Sequence, residues 1–160
     1  MKSIREKPHR LPREHYQGQV TVAFALRLKQ TMPFFVQPSL VDIFVEHLRT
    51  ASIRCEVNTI YCFMPEHLHT ISIGHHVDSD ALRSIEVFKH STGWWLKNNR
   101  PETKWQKGSY DRIARTGEKV HLADYLVTNP IRRGLVTDWR DYPFTGAIGL
   151  DLQQYLQEIM

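Results

Sequence analysis

Apolar and polar residues alternate in three short stretches of the chain, the pattern of strands with one buried face. The first is VTVAFALRL at 20–28, the second RCEVNTIYCFM at 54–64, and the third HLHTISIG at 67–74. Met-Pro-Glu at 64–66 separates the second stretch from the third and predicts a tight turn, so these two strands form an antiparallel hairpin. A fourth strand is predicted within WQKGSYDRIAR at 105–115.

Three segments place apolar residues at the spacing of an amphipathic helix. The first, at 38–51, has Ser39 as its candidate N-cap, and the second covers 78–99. The third covers 116–130 and ends near Asn129, because a residue that precedes proline disfavours helical dihedrals.

The predicted elements follow one another as β-α-β-β-α-β with an added helix. This order is the split βαβ, or ferredoxin-like, pattern, an α+β fold with an antiparallel sheet of four to five strands and helices on one face. Residues 1–15 form a basic N-terminal tail, residues 16–146 the folded domain, and residues 147–160 a C-terminal tail with a short helix predicted at 151–159.

Composition excludes several classes of protein. The 160 residues are 41% hydrophobic and 24% charged, an ordinary balance for a single globular domain. No apolar run reaches the length of a membrane span, and the first residues lack the apolar middle of a signal peptide, so we expect a soluble cytoplasmic protein without a membrane partner. The two cysteines, Cys55 and Cys62, exclude a Cys-rich zinc site, and their odd separation on one predicted strand predicts free thiols.

The net charge of +4 is concentrated near the start of the chain. Such a run predicts contacts with phosphate groups, although a solvated terminus is the alternative. The candidates for phosphate contacts in this segment are Arg5, Lys7, Arg10 and Arg13. Further candidates lie in or after the predicted helices, where a solvated basic surface is the alternative for each: Lys89, Lys97, Arg132 and Arg133.

Two histidines stand at the start of the third predicted strand. Residues two apart on a strand share a face, so His67 and His69 point the same way, in line with Ile71 and Ile73. Two converging imidazoles indicate a metal site or a proton-transfer site. A His-x-His pair on a strand is more often no site at all, so the pair needs support from elsewhere in the chain.

The third predicted helix carries a polar stripe that offers this support. His121, Tyr125 and Asn129 are each four residues apart and therefore share one helical face. In a combined site, the strand histidines would hold a divalent cation, Asn129 or His121 would be a third ligand, and Tyr125 would be a nucleophile. The alternative for Tyr125 is a residue at the rim of the core.

Three segments carry a resemblance to a known family: FMPEHLH, WQKGSYDRIAR and ADYLVTNPIRRGLV, in that order and spacing. Over residues 10–146 the chain resembles the REP-associated tyrosine transposases. These belong to the HUH single-strand endonucleases and are related to the single-tyrosine transposases of small single-strand insertion sequences. The resemblance implies that His67 and His69 are the metal-binding pair, Tyr125 the nucleophile, and Asn129 the polar group near the metal.

The resemblance also implies an activity. The family fold is that of a metal-dependent endonuclease and strand transferase, which acts on single-stranded, hairpin or palindromic repeat DNA. The implied cofactor is Mg²⁺ or Mn²⁺, the implied intermediate is a 5′-phosphotyrosine, and the implied assembly is a monomer or a homodimer. The chain departs from the family at Glu66, where Asn is frequent, and at Arg112, where His is frequent.

Two other functions remain open on sequence alone. One is a module of the same fold that binds nucleic acid without cutting it. The other is a small metallohydrolase in which Tyr125 is only structural. The joint presence of His67, His69, Tyr125 and Asn129 favours the enzyme, because a pure binding module needs none of these side chains.

Overall fold

The computed structural model describes residues 10–30 and 32–160. Its strands and helices, in chain order, are β1 (Thr21–Arg27), α1 (Pro38–Arg54), β2 (Val57–Met64), β3 (His67–Gly74), α2 (Ala81–Asn99), β4 (Tyr110–Ile113), α3 (Lys119–Val127), α4 (Asn129–Arg132), β5 (Thr145–Ile148) and α5 (Leu152–Ile159). Within the described residues, short 3-10 helices lie at Arg13–Tyr16 and Trp139–Asp141. No helix within these described ranges is both long and apolar enough to cross a membrane.

The five strands form one sheet in the order β4-β1-β3-β2-β5, and every neighbouring pair is antiparallel. The predicted α+β class and the split βαβ order are therefore confirmed. β5 lies in a stretch to which the sequence assigned no strand, and it pairs with β2 from Thr59↔Ile148 to Cys62↔Thr145. Its four residues, Thr-Gly-Ala-Ile, are too few to show a clear alternation.

Several element ends differ from the prediction. The N-cap of α1 is Gln37 rather than Ser39. Pro38 is the first residue of the helix, where the backbone N–H that proline lacks would have no partner within the helix. Cys55 closes α1 instead of lying on β2, and both thiols are buried and free. The predicted third helix ends at Val127, and α4 follows, with proline in its first turn.

The helices cover both faces of the sheet. On one face, α1 and α2 enclose a core that includes Phe44, Phe63 and Phe88. On the other face, α3 and α5 cover Ile60 and Ile71 of the central strands. The prediction of helices on one face holds for the split βαβ unit but is wrong for α3 and α5, because β2 and β3 are apolar on both sides and need a second cover.

The segment before β1 is attached to the rest of the domain from residue 10 onward. Tyr16 is buried, and its hydroxyl donates to Asp111 Oδ1 on β4 at 2.7 Å. Arg10 donates to the other oxygen of the same carboxylate at 3.1 Å, and Arg13 forms two hydrogen bonds to Glu86 on α2. The predicted boundary after residue 15 thus falls within a 3-10 helix that packs on the sheet, and the domain division as a whole stays a prediction.

Candidate active site

The two strand histidines meet at the start of β3, on the sheet face that α3 covers. Their Nε2 atoms are 3.1 Å apart, and the ring planes are nearly perpendicular. His67 is only 4% exposed, whereas His69 is half-buried. β3 is bonded to a strand on each side, with Ala25 and Cys62 as the register partners of His69. The pair is therefore held by the centre of the sheet, as its spacing predicts.

The carboxylate of Glu66 contacts His67 at Nδ1, the ring nitrogen that does not face His69. Its Oε1 lies 3.0 Å from His67 Nδ1 and 2.9 Å from an Arg133 guanidinium nitrogen. Burial alone would raise the pKa of Glu66, but the hydrogen bond and charge of Arg133, together with the His67 contact, hold it below its usual range. The carboxylate is therefore ionised and accepts both hydrogen bonds.

Both histidines are kept neutral by their surroundings. Burial lowers the pKa of His67, and the positive charge of Arg27 adds to this effect against the opposing contact with Glu66. Burial also lowers the pKa of His69 to about 4, with further contributions from His67, Arg27 and Arg132. A neutral imidazole, unlike an imidazolium, has a lone pair to offer a metal, so neither ring needs to lose a charge-carrying proton before it binds one at neutral pH.

This pKa predicts how the stability of the metal-free protein depends on pH. An unfolded histidine titrates near pH ~6.5, whereas folded His69 titrates at about 4. Between these values the unfolded chain binds a proton that the folded chain does not, so the free energy of unfolding falls as pH drops from about 6.5 toward 4. Chemical denaturation at pH 7.0, 5.5 and 4.5 should show a smaller loss for His69→Gln than for wild type; equal losses would contradict the depressed pKa.

Tyr125 faces the histidine pair from α3. Its ring centroid is 6.0 Å from that of His69, edge to face, and its side chain is 56% exposed. The Arg132 guanidinium lies over the tyrosine ring at 4.0 Å and donates to the Tyr125 carbonyl at 2.8 Å and to Thr128. This cation fixes the position of the ring while leaving much of the side chain open to a ligand.

A cavity of about 510 Å³ separates α3 from β1, β3 and β4. Ala23 and Ala25 belong to its wall, and their short side chains leave the space that α3 does not fill. Tyr125 and His69 line it together with other chemically active groups: Arg27, Tyr110, Arg112, Glu118 and His121. The cavity therefore joins a mostly apolar floor to a rim of cationic, imidazole and phenol groups, which suits a nucleotide-sized anionic ligand.

The remaining stripe residues divide between the cavity and the core. His121 is exposed and lines the cavity one turn before Tyr125. Asn129 is 7% exposed at the first position of α4, one turn beyond Tyr125. A buried amide after the tyrosine fits the predicted third ligand, and the choice between Asn129 and His121 stays a prediction.

The geometry of the histidine pair fits a single divalent cation. Their Nε2 atoms, 3.1 Å apart, are close enough to be neighbouring ligands of one ion. Imidazole is a common ligand of zinc and other transition metals, whereas an amide oxygen suits Mg²⁺ or Mn²⁺, so this mixed set of donors is compatible with the implied cofactor and equally with zinc.

The predicted phosphate contacts fall into different environments. Arg132 and Arg133 belong to the site itself, whereas Arg10 and Arg13 are engaged with Asp111 and Glu86. Lys89 donates to the carbonyls of Gln106 and Gly108, and Lys97 is exposed on α2. Arg5 and Lys7 lie outside the described residues.

Sequence reasoning missed part of the site. Tyr110 on β4, to which the spacing of the motifs gave no role, is 63% exposed and lines the cavity. Arg27 and the Arg112–Glu118 ion pair also line the cavity. The available signal was the row Ala23, Ala25, Arg27 on the face of β1 that pairs with the histidine face of β3.

The fold resembles that of a known structure. The solved structure of a REP-associated tyrosine transposase bound to a REP hairpin matches with a TM-score of 0.62 and 22% identity, over 91% of this chain and 82% of that chain. This likeness confirms the fold that the sequence resemblance implies. No family model matches the chain, and no curated protein matches it in sequence.

Proposed function

We propose that the chain is an HUH-type DNA nickase and strand transferase of the kind found in REP-associated tyrosine transposases. Its substrate would be single-stranded or hairpin DNA, its cofactor Mg²⁺ or Mn²⁺, and its product a 5′-phosphotyrosine with a free 3′-hydroxyl. The observation that carries the proposal is the Tyr125 ring, 6.0 Å from that of His69, at the mouth of a cavity beside a neutral histidine pair. The protein of similar fold is described as bound to a REP hairpin, which supports DNA as the ligand.

The side chains would divide the work of phosphoester transfer. His67 and His69 would hold the cation with Asn129 or His121, and this ion would supply charge neutralisation at the phosphate oxygens. The Tyr125 hydroxyl would attack phosphorus and lose its proton to His121 or to water. The bond to the 3′ oxygen would break, and this oxygen would leave as a hydroxyl after taking up a proton.

Arg132 and the cavity would position the substrate. The guanidinium, 4.0 Å from the centre of the Tyr125 ring, puts a positive charge on the side of the site where the anionic phosphate would approach. Arg27 and Arg112 add positive charge along the cavity that receives the nucleotides next to the scissile bond. The covalent intermediate retains the energy of the phosphoester, so the strand can be rejoined without a nucleotide cofactor.

A cleavage assay tests this proposal. Labelled hairpins with single-stranded flanks on the 5′ or the 3′ side are incubated with the protein in Mn²⁺, in Mg²⁺ and in excess EDTA. We expect a protein–DNA adduct that survives SDS, forms only with a divalent cation, and carries the strand 3′ of the cut. Hairpin binding without cleavage across the panel would instead support a module that binds nucleic acid and does not cut it.

The basic start of the chain should add to DNA affinity without affecting chemistry. Deletion of residues 1–9 removes Lys2, Arg5 and Lys7 while keeping the Tyr16 and Arg10 contacts with β4. Each lost phosphate contact should reduce the slope of log K against log salt by about 0.7, so the slope should flatten by about 2. Hairpin titrations at several salt concentrations measure this slope for the full-length and the truncated protein.

The matched control replaces the same three cations with glutamine and keeps the chain length. We expect the substituted and the truncated proteins to show the same flattened slope, and both to form the adduct normally at saturating DNA. An unchanged slope in both would place the DNA surface wholly on residues 10–160.

A further inference from the structure

Glu66 makes two hydrogen bonds through one carboxylate oxygen. Oε1 accepts from His67 Nδ1 at 3.0 Å and from Arg133 at 2.9 Å. Glu66 follows β2 in the turn before β3, and Arg133 follows α4. The carboxylate therefore links the strand that carries the histidine pair to the helical segment that carries Tyr125.

The first of these bonds determines which nitrogen of His67 carries the proton. An ionised carboxylate has no proton to donate, so the Nδ1 atom of His67 must be the donor. In a neutral ring protonated at Nδ1, the lone pair is on Nε2, which lies 3.1 Å from His69 Nε2. A histidine that binds a metal through one nitrogen commonly donates from the other to a carboxylate, which orients the ring and increases its basicity.

The same bond determines the protonation of His69. With a lone pair on His67 Nε2 and a separation of 3.1 Å, the metal-free pair is joined by a hydrogen bond that His69 Nε2 donates. His69 must then move its proton to Nδ1 before its Nε2 can bind a cation. The two histidines are therefore not equivalent. His67 already has the tautomer that can bind a cation through Nε2, whereas His69 has to change its tautomer first.

The geometry points to Glu66 as a positioning residue of the metal site: its carboxylate sets the tautomer of His67 and ties the histidine pair to the α3–α4 segment through Arg133. This inference rests on the proposed function, in which the pair holds the cation. It concerns a residue at which the chain departs from the family it resembles. A neutral, shorter side chain at this position would lack the charge that engages Arg133.

Nuclear magnetic resonance on the metal-free protein reads the tautomers directly. Long-range ¹H–¹⁵N correlation spectra at pH 7 should show His67 protonated at Nδ1 and His69 protonated at Nε2 in the wild type. In Glu66→Ala, His67 should become a mixture of tautomers, because a free neutral imidazole populates both. Glu46→Ala is the matched control, since it removes another glutamate that pairs with an arginine, Arg49, on the exposed surface of α1.

Mn²⁺ titration of the same proteins measures the consequence for the site. We expect Glu66→Ala to bind Mn²⁺ about 10- to 100-fold more weakly than wild type, Glu66→Gln to show a smaller loss because its amide oxygen still accepts from His67, and Glu46→Ala to show none. If Glu66→Ala fails to fold, the His67 tautomer and the Mn²⁺ affinity of Glu66→Gln test the positioning role instead.

The outcomes separate this inference from the proposed function. If wild-type His67 is protonated at Nε2, or the Glu66 variants retain both the wild-type tautomer and the wild-type Mn²⁺ affinity, the positioning role is wrong even when the adduct forms. If the wild type binds no Mn²⁺ and forms no adduct, the proposed function fails, and the spectra still decide whether Glu66 sets the tautomer.

Discussion

Tyr125→Phe is expected to abolish the covalent adduct, with a loss of strand cleavage of more than about 10³-fold. The substitution removes the one atom that would attack phosphorus and keeps the ring on which Arg132 stacks at 4.0 Å. Folding and hairpin affinity should therefore stay close to wild type. Circular dichroism, hairpin titration and an SDS gel of the cleavage reaction in Mn²⁺ provide the three measurements.

Tyr110→Phe is the matched control. Tyr110 lines the same cavity, is similarly exposed, and lies on β4 rather than on the helix that carries the stripe. We expect it to form the adduct at a rate within a few-fold of wild type. An adduct in Tyr125→Phe together with its loss in Tyr110→Phe would transfer the nucleophile to β4 and contradict the assignment.

Loss of the cation or of either histidine should remove activity without removing the fold. Excess EDTA, His67→Ala and His69→Ala are each expected to reduce adduct formation by at least about 10²-fold, because a single imidazole holds a divalent cation poorly. Tyr125 remains in place in these variants, so hairpin binding should persist. Adduct yield across a Mn²⁺ titration, with folding checked by circular dichroism, measures the effect.

A second group of metal-binding side chains provides the control for this experiment. Among the described residues, Glu56, His76 and Asp78 also bring their ligand atoms close together, on an exposed surface. His76 Nδ1 already accepts a hydrogen bond from the Asp78 backbone. His76→Ala should leave the cation dependence of adduct formation unchanged. If His76→Ala lost activity while His67→Ala and His69→Ala kept it, the required ion would lie at the Glu56–His76–Asp78 group, and the assignment of the histidine pair would be wrong.

Most of the fold was predictable because its strands and helices have regular periods. The bounds of β3 agree with the prediction at both ends, His67 and Gly74, which follow the Met-Pro-Glu turn and close the run of alternating faces. β5 could not be predicted, because its four residues gain their strand conformation only by pairing with β2. The cover of the second sheet face by α3 and α5 was also missed, although the two-sided apolar character of β2 signalled it.

The residues of the candidate site could be selected from the sequence, whereas the contacts between them could not. Spacing alone places His67 and His69 on one face and Tyr125 on a helical stripe. The bond from His67 to Glu66, and from there to Arg133, joins residues 67 positions apart in the chain and depends on how α4 packs beside the hairpin turn. The same holds for Tyr110, whose position in the cavity follows from the pairing of β4 with β1.

The central claim is that Tyr125 becomes covalently joined to DNA. Its most direct test is mass spectrometry of the SDS-stable adduct after nuclease and protease digestion, which identifies the residue that carries the phosphate. We expect a nucleotide attached through its 5′ phosphate to Tyr125, and to no other residue. A phosphate on Tyr110 or on a serine, or cleaved DNA with no attached peptide, would contradict it.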